Sequence, residues 1–294
     1  MPLCTLHLIA LQPSTSLAAF LAHLAQTTPR PLIVAKVLRW IITPTTLSVD
    51  PLLAHSWDVL VLLPTAAAAA LPAQLAPHAA AVFTLRAGVP SRLVAGFAAR
   101  NARLLHPAPA SVPALTGSLE RPRVAASAQQ LEYTAELARW IRACRVPGPV
   151  TMLNLLAFRA GDAAKASYLR YGAAFAAGVG ARRGGVAKIV GGVVDEGGVA
   201  AGKAADGGEG EGARERTEAE AEAQAKGRPS EWDEIAIAHY PSLWHFADMA
   251  ASEDYQAVNH KYRVGSLRDT CILCMSELAL PLPDGAGEGG KAKL

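Results

Sequence analysis

The feature that most constrains the fold is an order of predicted elements that occurs twice along the 294 residues. In the first half, strand-like apolar runs and helical patterns follow one another in a βαββαβ order. The second half repeats this order from Val150 onward. Two short segments match in the same ordinal positions: Thr5-Leu-His-Leu8 with Met152-Leu-Asn-Leu155, and Ser56-Trp-Asp58 with Glu231-Trp-Asp233. A repeat of this length indicates a duplicated domain rather than a solenoid.

A βαββαβ unit leaves one face of its sheet bare, and that face must be covered by another layer. Two fused copies can cover each other, so the order predicts an α+β fold made of tandem ferredoxin-like domains. We expect them to close as an intramolecular, pseudo-dimeric α/β barrel. The predicted boundaries are 1–106 for the first domain, 107–126 for a proline-rich linker, 127–282 for the second domain and 283–294 for a flexible tail.

Three stretches within this frame have their own patterns. The alanine-rich stretch Ala66–Ala81 predicts a helix bent near its prolines, and Ser91–Leu105 predicts an added helix. Residues 196–230 are rich in Gly, Ala and Glu and contain almost no large apolar side chain. Such a segment cannot bury enough surface to offset the entropy of ordering, so we expect a disordered insertion within a hairpin.

Charge, hydropathy and cysteine spacing argue against several functional classes. The net charge of +3 is small and no basic stripe with interleaved aromatic residues occurs, which argues against nucleic acid as a partner. No apolar run approaches about 18 residues, so no membrane span is predicted. Cys271 and Cys274 lie three apart on a predicted strand and would point to opposite faces. We therefore expect reduced, buried thiols, and we predict neither a metal nor a cofactor.

Two short motifs concern nucleotide binding and localisation. The glycine-rich stretch Gly178–Gly185 is similar to a phosphate-binding loop, but a dinucleotide site needs a strand before it and a helix after it. Here the order is reversed, so the glycines are interpreted as turn residues. The C-terminal Ala292-Lys293-Leu294 fits a variant of the peroxisomal address, and no basic secretory region opens the sequence. We expect a cytoplasmic or peroxisomal protein that is not secreted.

Polar and aromatic residues inside the apolar pattern are the candidate functional groups. His7 and Asn154 occupy equivalent places in the first strands of the two halves and could face a cavity between the sheets. The alternative for each is a core polar side chain satisfied by a neighbour. Trp57 and Trp232 each begin a strand, which predicts an aromatic lid at the barrel end. The aspartate after each tryptophan is expected to bind backbone amides or an arginine.

An ordered series of motifs in the second half carries a family resemblance: Gly148–Phe158, Tyr168–Gly172, Trp232-Asp233, Tyr240–Ser242, Phe246–Met249 and Arg263–Asp269. It resembles a family of unknown function in the dimeric α/β-barrel superfamily. That superfamily includes cofactor-free monooxygenases, polyketide cyclases, isomerases and haem-degrading enzymes, so the resemblance implies where a site lies and not what it does. The residues it implies around the cavity are Asn154, Tyr171, Trp232, Tyr255, His260 and Arg263.

The first functional hypothesis is a cofactor-independent enzyme of the oxygenase, cyclase or isomerase type, acting on a small apolar or aromatic compound in the barrel cavity. His260 or His7 would move a proton, and Arg263 would hold a developing negative charge. The alternatives are a non-catalytic ligand-binding or scaffold protein, and haem binding through His260. A monomer with pseudo-twofold symmetry and a homodimer both fit. The residues expected to bind the substrate are Asn154, Tyr171, Trp232 and Tyr255.

Overall fold

The computed structural model describes residues 1–64, 70–123, 131–201 and 230–280. The strands within these ranges are β1 Leu3–Leu11, β2 Ile33–Ile42, β3 Val59–Leu63, β4 Ala79–Gly88, β5 Val150–Phe158, β6 Val186–Ala201, β7 Glu234–Tyr240 and β8 Leu267–Glu277. The helices are α1 Leu17–Ala25, α2 Val49–Leu53, α3 Ser91–Val94, α4 Phe97–Leu105, α5 Ala135–Ala143, α6 Asp162–Ala174, α7 Leu243–Ala250 and α8 Glu253–Val258. Two π-helical turns, Phe175–Val179 and Asn259–Val264, extend α6 and α8.

The strands form a closed antiparallel barrel in the order β1-β3-β2-β8-β5-β7-β6-β4, which gives the α+β class expected from the sequence. Each half contributes four neighbouring strands in corresponding order, β4-β1-β3-β2 and β8-β5-β7-β6. The register corresponds as well, because His7 lies opposite Val61 and Asn154 lies opposite Ala236. The pairs β2–β8 and β4–β6 join the halves, so every barrel strand has a neighbour on both sides.

The interior of the barrel is filled by apolar side chains. Alternate residues of the strands point inward, among them Leu8 of β1 and Leu155 of β5, both with no exposed surface. The hypothesis of a ligand cavity inside the barrel is therefore wrong for the described residues. The two inner faces pack directly on each other, because each bare sheet face needs an apolar cover and the other half supplies it.

The two tryptophans predicted as an aromatic lid close one end of this interior. Both precede strands that run in the same direction, and both belong to the interior apolar cluster. The indole nitrogen of Trp57 donates to the Leu52 carbonyl at 2.7 Å, and that of Trp232 donates to the Ser48 hydroxyl at 3.2 Å. Each indole N–H keeps a hydrogen-bond partner inside the protein, so burial of these large side chains leaves neither N–H unsatisfied.

The aspartates that follow the tryptophans bind backbone amides at equivalent places, as predicted. Asp58 Oδ2 accepts from the Leu11 amide at 2.8 Å, and Asp233 Oδ2 accepts from the Phe158 amide at 2.7 Å. Each contact fixes the end of the first strand of its half against the start of the third strand.

The opposite end of the interior holds a buried polar network that ties the two halves together. Lys188 Nζ forms an ion pair with Glu277, and both side chains are 3% exposed. Asn101 of α4 donates to Glu277 at 2.7 Å and accepts from Lys188 at 2.9 Å. Thr151 also donates to Glu277 at 2.7 Å. Because Asn101 belongs to the first half and its partners to the second, the network crosses between the halves.

One helix prediction in the first half is wrong over the described residues, and a second is correct except for a break. Within the predicted helix Ala66–Ala81, residues 66–69 lie outside the described ranges, and the remainder forms turns that lead into β4 at Ala79. The pairing of β4 with β1 outweighs the helix propensity of alanine. The single helix predicted over Ser91–Leu105 is divided into α3 and α4 at Gly96, whose φ of 63° is left-handed.

The first six residues of the insertion predicted to be disordered form part of a strand. Strand β6 continues to Ala201 and pairs with β4 along this stretch, so residues 196–201 belong to the barrel. A main-chain hydrogen-bond ladder does not require large side chains, which explains why composition alone misplaced this boundary. Residues 202–229 of the predicted insertion lie outside the described ranges, as does the C-terminal tripeptide.

The cysteine and glycine interpretations are confirmed. Cys271 faces the barrel interior and Cys274 faces the helices, and burial raises the pKa of both thiols. The glycine-rich stretch forms turns: a Cβ at Gly180 would lie 2.6 Å from the Phe175 ring. Arg183 in this stretch is 2% exposed and pairs with Asp248 rather than facing a ligand. No helix in the described ranges has the length and apolarity needed to cross a bilayer.

We expect Leu155→Ala to lower the free energy of unfolding by about 2–5 kcal/mol, because it leaves a cavity in a close-packed interior. Leu115→Ala is the control, since Leu115 is 44% exposed and its truncation should change stability by less than about 0.5 kcal/mol. Urea denaturation followed by circular dichroism measures both. Equal effects of the two substitutions would contradict a filled barrel.

Candidate active site

A cavity of about 420 Å³ lies outside the barrel, between the second half's strands and the helices that cover them. Its floor is the outer face of the sheet, including Asn154 of β5 and the alanines Ala236 and Ala238 of β7. Its walls come from α6, α7 and α8, with aromatic side chains predominating. The strands thus separate a filled interior on one face from an open pocket on the other.

Small side chains on β7 create the room for this cavity. Ala236 and Ala238 alternate with the buried Ile237, yet both remain partly exposed under the helices. The corresponding residues of β3 are Val61 and Leu63, which are buried against α1 of the first half. The same sheet position is therefore filled in the first half and open in the second.

The helical wall presents a pair of tyrosine hydroxyls to the cavity. The hydroxyls of Tyr171 on α6 and Tyr255 on α8 lie 3.1 Å apart, within hydrogen-bond distance. Tyr255 is placed by a helix cap, because the Ser252 hydroxyl accepts from its backbone amide at 3.3 Å. Phe175 stacks edge-on against Tyr240, which extends the aromatic wall.

The tyrosines around the cavity remain protonated at neutral pH. Burial raises the pKa of Tyr168, Tyr171 and Tyr255 above the ordinary phenol value. The guanidinium of Arg263, which is 1% exposed, opposes this shift at all three phenols and hydrogen bonds to Tyr168. The phenols are therefore hydrogen-bond donors, and a negative charge formed beside them would lie near a buried cation.

Asn154 is oriented by the backbone of its own sheet. Its amide nitrogen donates to the Met152 carbonyl at 3.1 Å and to the Ala236 carbonyl at 3.2 Å. The side-chain carbonyl oxygen is then the group that can accept a hydrogen bond from a ligand. The cavity thus offers phenol donors on the helices and one amide acceptor on the sheet.

The structure brings together some of the site residues predicted from the sequence. Asn154, Tyr171 and Tyr255 line the cavity, and Arg263 is buried beside the tyrosines. Trp232 lies in the barrel end instead, where its ring packs in the interior core.

The two histidines predicted as catalytic lie away from the cavity. His260 is exposed on the π-helical turn after α8. His7 is fully buried in the first half, where its Nδ1 is 2.9 Å from the Thr84 hydroxyl and its Nε2 has no hydrogen-bond partner among the described residues. Those residues contain no cluster of three or more His, Cys, Asp or Glu side chains that could hold a metal ion.

Sequence reasoning missed the two alanines of β7 and a contribution from the first half. Arg92 and Leu93 of α3 also line the cavity, although they belong to the first half of the chain. The alternation of isoleucine with alanine on β7 is visible in the sequence. It is the signal that could have indicated space on that face.

Comparisons with known proteins give little further information. No family model matches the chain, and no curated protein is similar to it. A crystal structure of methylated RPA0582 protein is 23% identical, with a TM-score of 0.32, and the match covers 50% of this chain and 93% of that one. A second, of the RPA0582 protein of unknown function from Rhodopseudomonas palustris, is 24% identical with a TM-score of 0.33, covering 50% and 95%. These TM-scores are too low to establish a common fold.

We expect the stability of the protein to fall as the pH drops from about 6.5 to about 4, partly through His7. Burial lowers the pKa of His7 from 6.5 to about 4. Above pH 6.5 both the folded and unfolded states hold it neutral, and between these values only the unfolded chain takes up the proton. The loss attributable to this one group is about 3 kcal/mol.

The measurement is urea denaturation at a series of pH values for the wild type and for His7→Asn, which introduces the residue found at the equivalent position of the second half. The variant should lose part of the pH dependence over this interval. Some of the pH dependence will remain in the variant, because burial also lowers the pKa of His239 to about 4. His106→Asn, at an exposed position, should retain the wild-type profile. Identical slopes for the wild type and His7→Asn would contradict the prediction.

Proposed function

We propose that this protein binds one small, mainly aromatic compound per chain, in the cavity between the second half's sheet and its helices. The observation that carries the proposal is a partly open cavity of about 420 Å³ with aromatic walls and a few convergent polar groups. Small-molecule sites have this size and this composition. The Tyr171–Tyr255 hydrogen bond uses one of the two hydroxyl protons, so the other hydroxyl would donate to a ligand oxygen, and Asn154 would accept a hydrogen bond.

We further propose that the halves are duplicated ferredoxin-like domains closed as an intramolecular counterpart of a dimeric α/β barrel. The corresponding strand orders, the corresponding register and the equivalent aspartate contacts support this origin. The two copies would then have diverged at the outer face, where one keeps a pocket and the other is filled.

We expect the double substitution Ala236→Val with Ala238→Leu to abolish ligand binding while the protein stays folded. It introduces the side chains that the first half carries at Val61 and Leu63, where the same sheet position is filled. Binding is measured by native mass spectrometry of freshly purified protein against its denatured mass, and by thermal shift with a panel of aromatic ketones and phenols.

Ala102→Val, at an exposed position of α4, is the matched control and should bind like the wild type. Circular dichroism establishes that each variant is folded. A filled variant that retains the same bound mass or the same thermal shifts would show that the ligand does not occupy this cavity. A wild-type chain with neither a bound mass nor a thermal shift would favour the scaffold alternative.

A second candidate function is cofactor-independent catalysis in the same cavity. The observation that favours it is the hydrogen-bonded pair of Tyr171 and Tyr255 next to the buried Arg263. A carbonyl or phenol oxygen held by these hydroxyls could gain negative charge near a cation, as cyclase, isomerase and oxygenase reactions require. The positions of His260 and His7 favour neither histidine as the proton carrier and give no support to haem binding.

We expect Tyr171→Phe to reduce any turnover of aromatic ketones or phenols by about 100-fold, since it removes one donor from the developing charge. The assay incubates the protein with the compound panel in air and identifies products by mass spectrometry. His260→Ala should leave the rate unchanged, because His260 is exposed outside the cavity. The opposite pattern, with loss in His260→Ala and none in Tyr171→Phe, would assign the chemistry to the histidine.

A further inference from the structure

The mouth of the cavity is built partly by the first half of the chain. Pro90, Arg92 and Leu93 from the α3 segment line the cavity together with residues of the second half. This segment contacts β6 and is held by Arg100, whose guanidinium donates to the Leu93 carbonyl at 2.6 Å and also to the Ala95 carbonyl. A short helix with fixed carbonyls places Arg92 at the rim as a fixed part of the site.

Charges around the mouth leave Arg92 available to a ligand. Glu234 is the acidic residue of the lining, and Lys165 Nζ already forms an ion pair with it. Arg92 is exposed and makes neither an ion pair nor a hydrogen bond with the residues that the structure describes. Beneath the wall lies the buried cation of Arg263. The Lys165–Glu234 ion pair has no net charge, so Arg92 gives the mouth a positive balance.

A neutral aromatic ligand would form no ion pair with this positive charge. The inner walls are apolar and phenolic, so they accommodate an aromatic body, whereas a charged group would be desolvated there at a high cost. At the rim, an acidic group could stay partly hydrated while it forms a bidentate contact with a guanidinium. The geometry therefore favours a ligand with an apolar end inside and an anionic end outside.

We propose that Arg92 recognises an acidic group of the ligand at the cavity mouth, so that the ligand class is an aromatic acid. This inference rests on the proposed binding function and adds the charge of the ligand to it. It also gives the first domain a role in the site of the second. Specificity then depends on both halves of the chain, although the cavity lies in only one of them.

Two fluorescent probes that differ only in a sulfonate test the inference: 1-anilinonaphthalene-8-sulfonate and the neutral N-phenyl-1-naphthylamine. Each is titrated into the full chain, and its Kd is obtained from the fluorescence change. We expect the wild type to bind the sulfonate more tightly by about threefold, the size of a partly exposed ion pair. This preference should disappear at about 1 M salt, where the screening length is ~3 Å.

The variants separate the role of the charge from the role of the cavity. Arg92→Gln should remove the preference for the sulfonate and leave the Kd of the neutral probe unchanged. Arg103→Gln, at an exposed position of α4 outside the cavity lining, should keep the preference. The double substitution at Ala236 and Ala238 should abolish binding of both probes.

Two results would overturn the inference while leaving the binding function intact. One is a wild type that binds both probes equally tightly, when the double substitution at Ala236 and Ala238 abolishes the binding of both. The other is an Arg92→Gln variant that retains the full preference or loses affinity for both probes alike. Failure of both probes to bind the wild type, or binding that the filled variant keeps, would instead overturn the proposed binding function and this inference with it.

Discussion

Closure of the eight strands is the constraint on which the rest of the structure depends. A strand at the edge of a sheet leaves a row of backbone groups unpaired, and here β2 and β4 of the first half find their partners in β8 and β6 of the second. Closure also commits one face of all eight strands to the interior. In this barrel apolar side chains fill most of that face, and the cavity lies on the outer face under the helices.

The two corresponding halves differ most clearly on their outer faces. His7 and Asn154 occupy the same register position, and both are polar residues in apolar surroundings. In the first half, His7 meets the Thr84 hydroxyl and the neighbouring valines fill the space. In the second, Asn154 bonds only to strand carbonyls, and the alanine opposite it leaves a void. A difference of a few methyl groups on one strand separates a core from a pocket.

The sequence predicted the strands and three residues of the cavity lining, and its failures have identifiable causes. Alternation placed Asn154 on the face it shares with Met152, but both faces of β5 are apolar, so periodicity could not tell interior from exterior. The predictions for the alanine-rich and glycine-rich stretches rest on local propensity. In the structure, pairing with β1 determines the backbone conformation of the first stretch, and pairing with β4 determines that of the second up to Ala201. Tertiary hydrogen bonding outweighs propensities of less than about 1 kcal/mol per residue.

The contribution of the first half to the mouth follows from the same closure. Strand β4 lies beside β6, so the segment after β4 emerges next to the second half's cavity rather than over its own sheet. The division into α3 and α4 at Gly96 lets the chain turn there, and α4 can then carry Asn101 to the buried Lys188 and Glu277. One connection thus supplies a rim residue and a bond between the halves. Because Arg100 of α4 donates to the Leu93 and Ala95 carbonyls beside Arg92, changes in the packing of α4 should be transmitted to the position of Arg92.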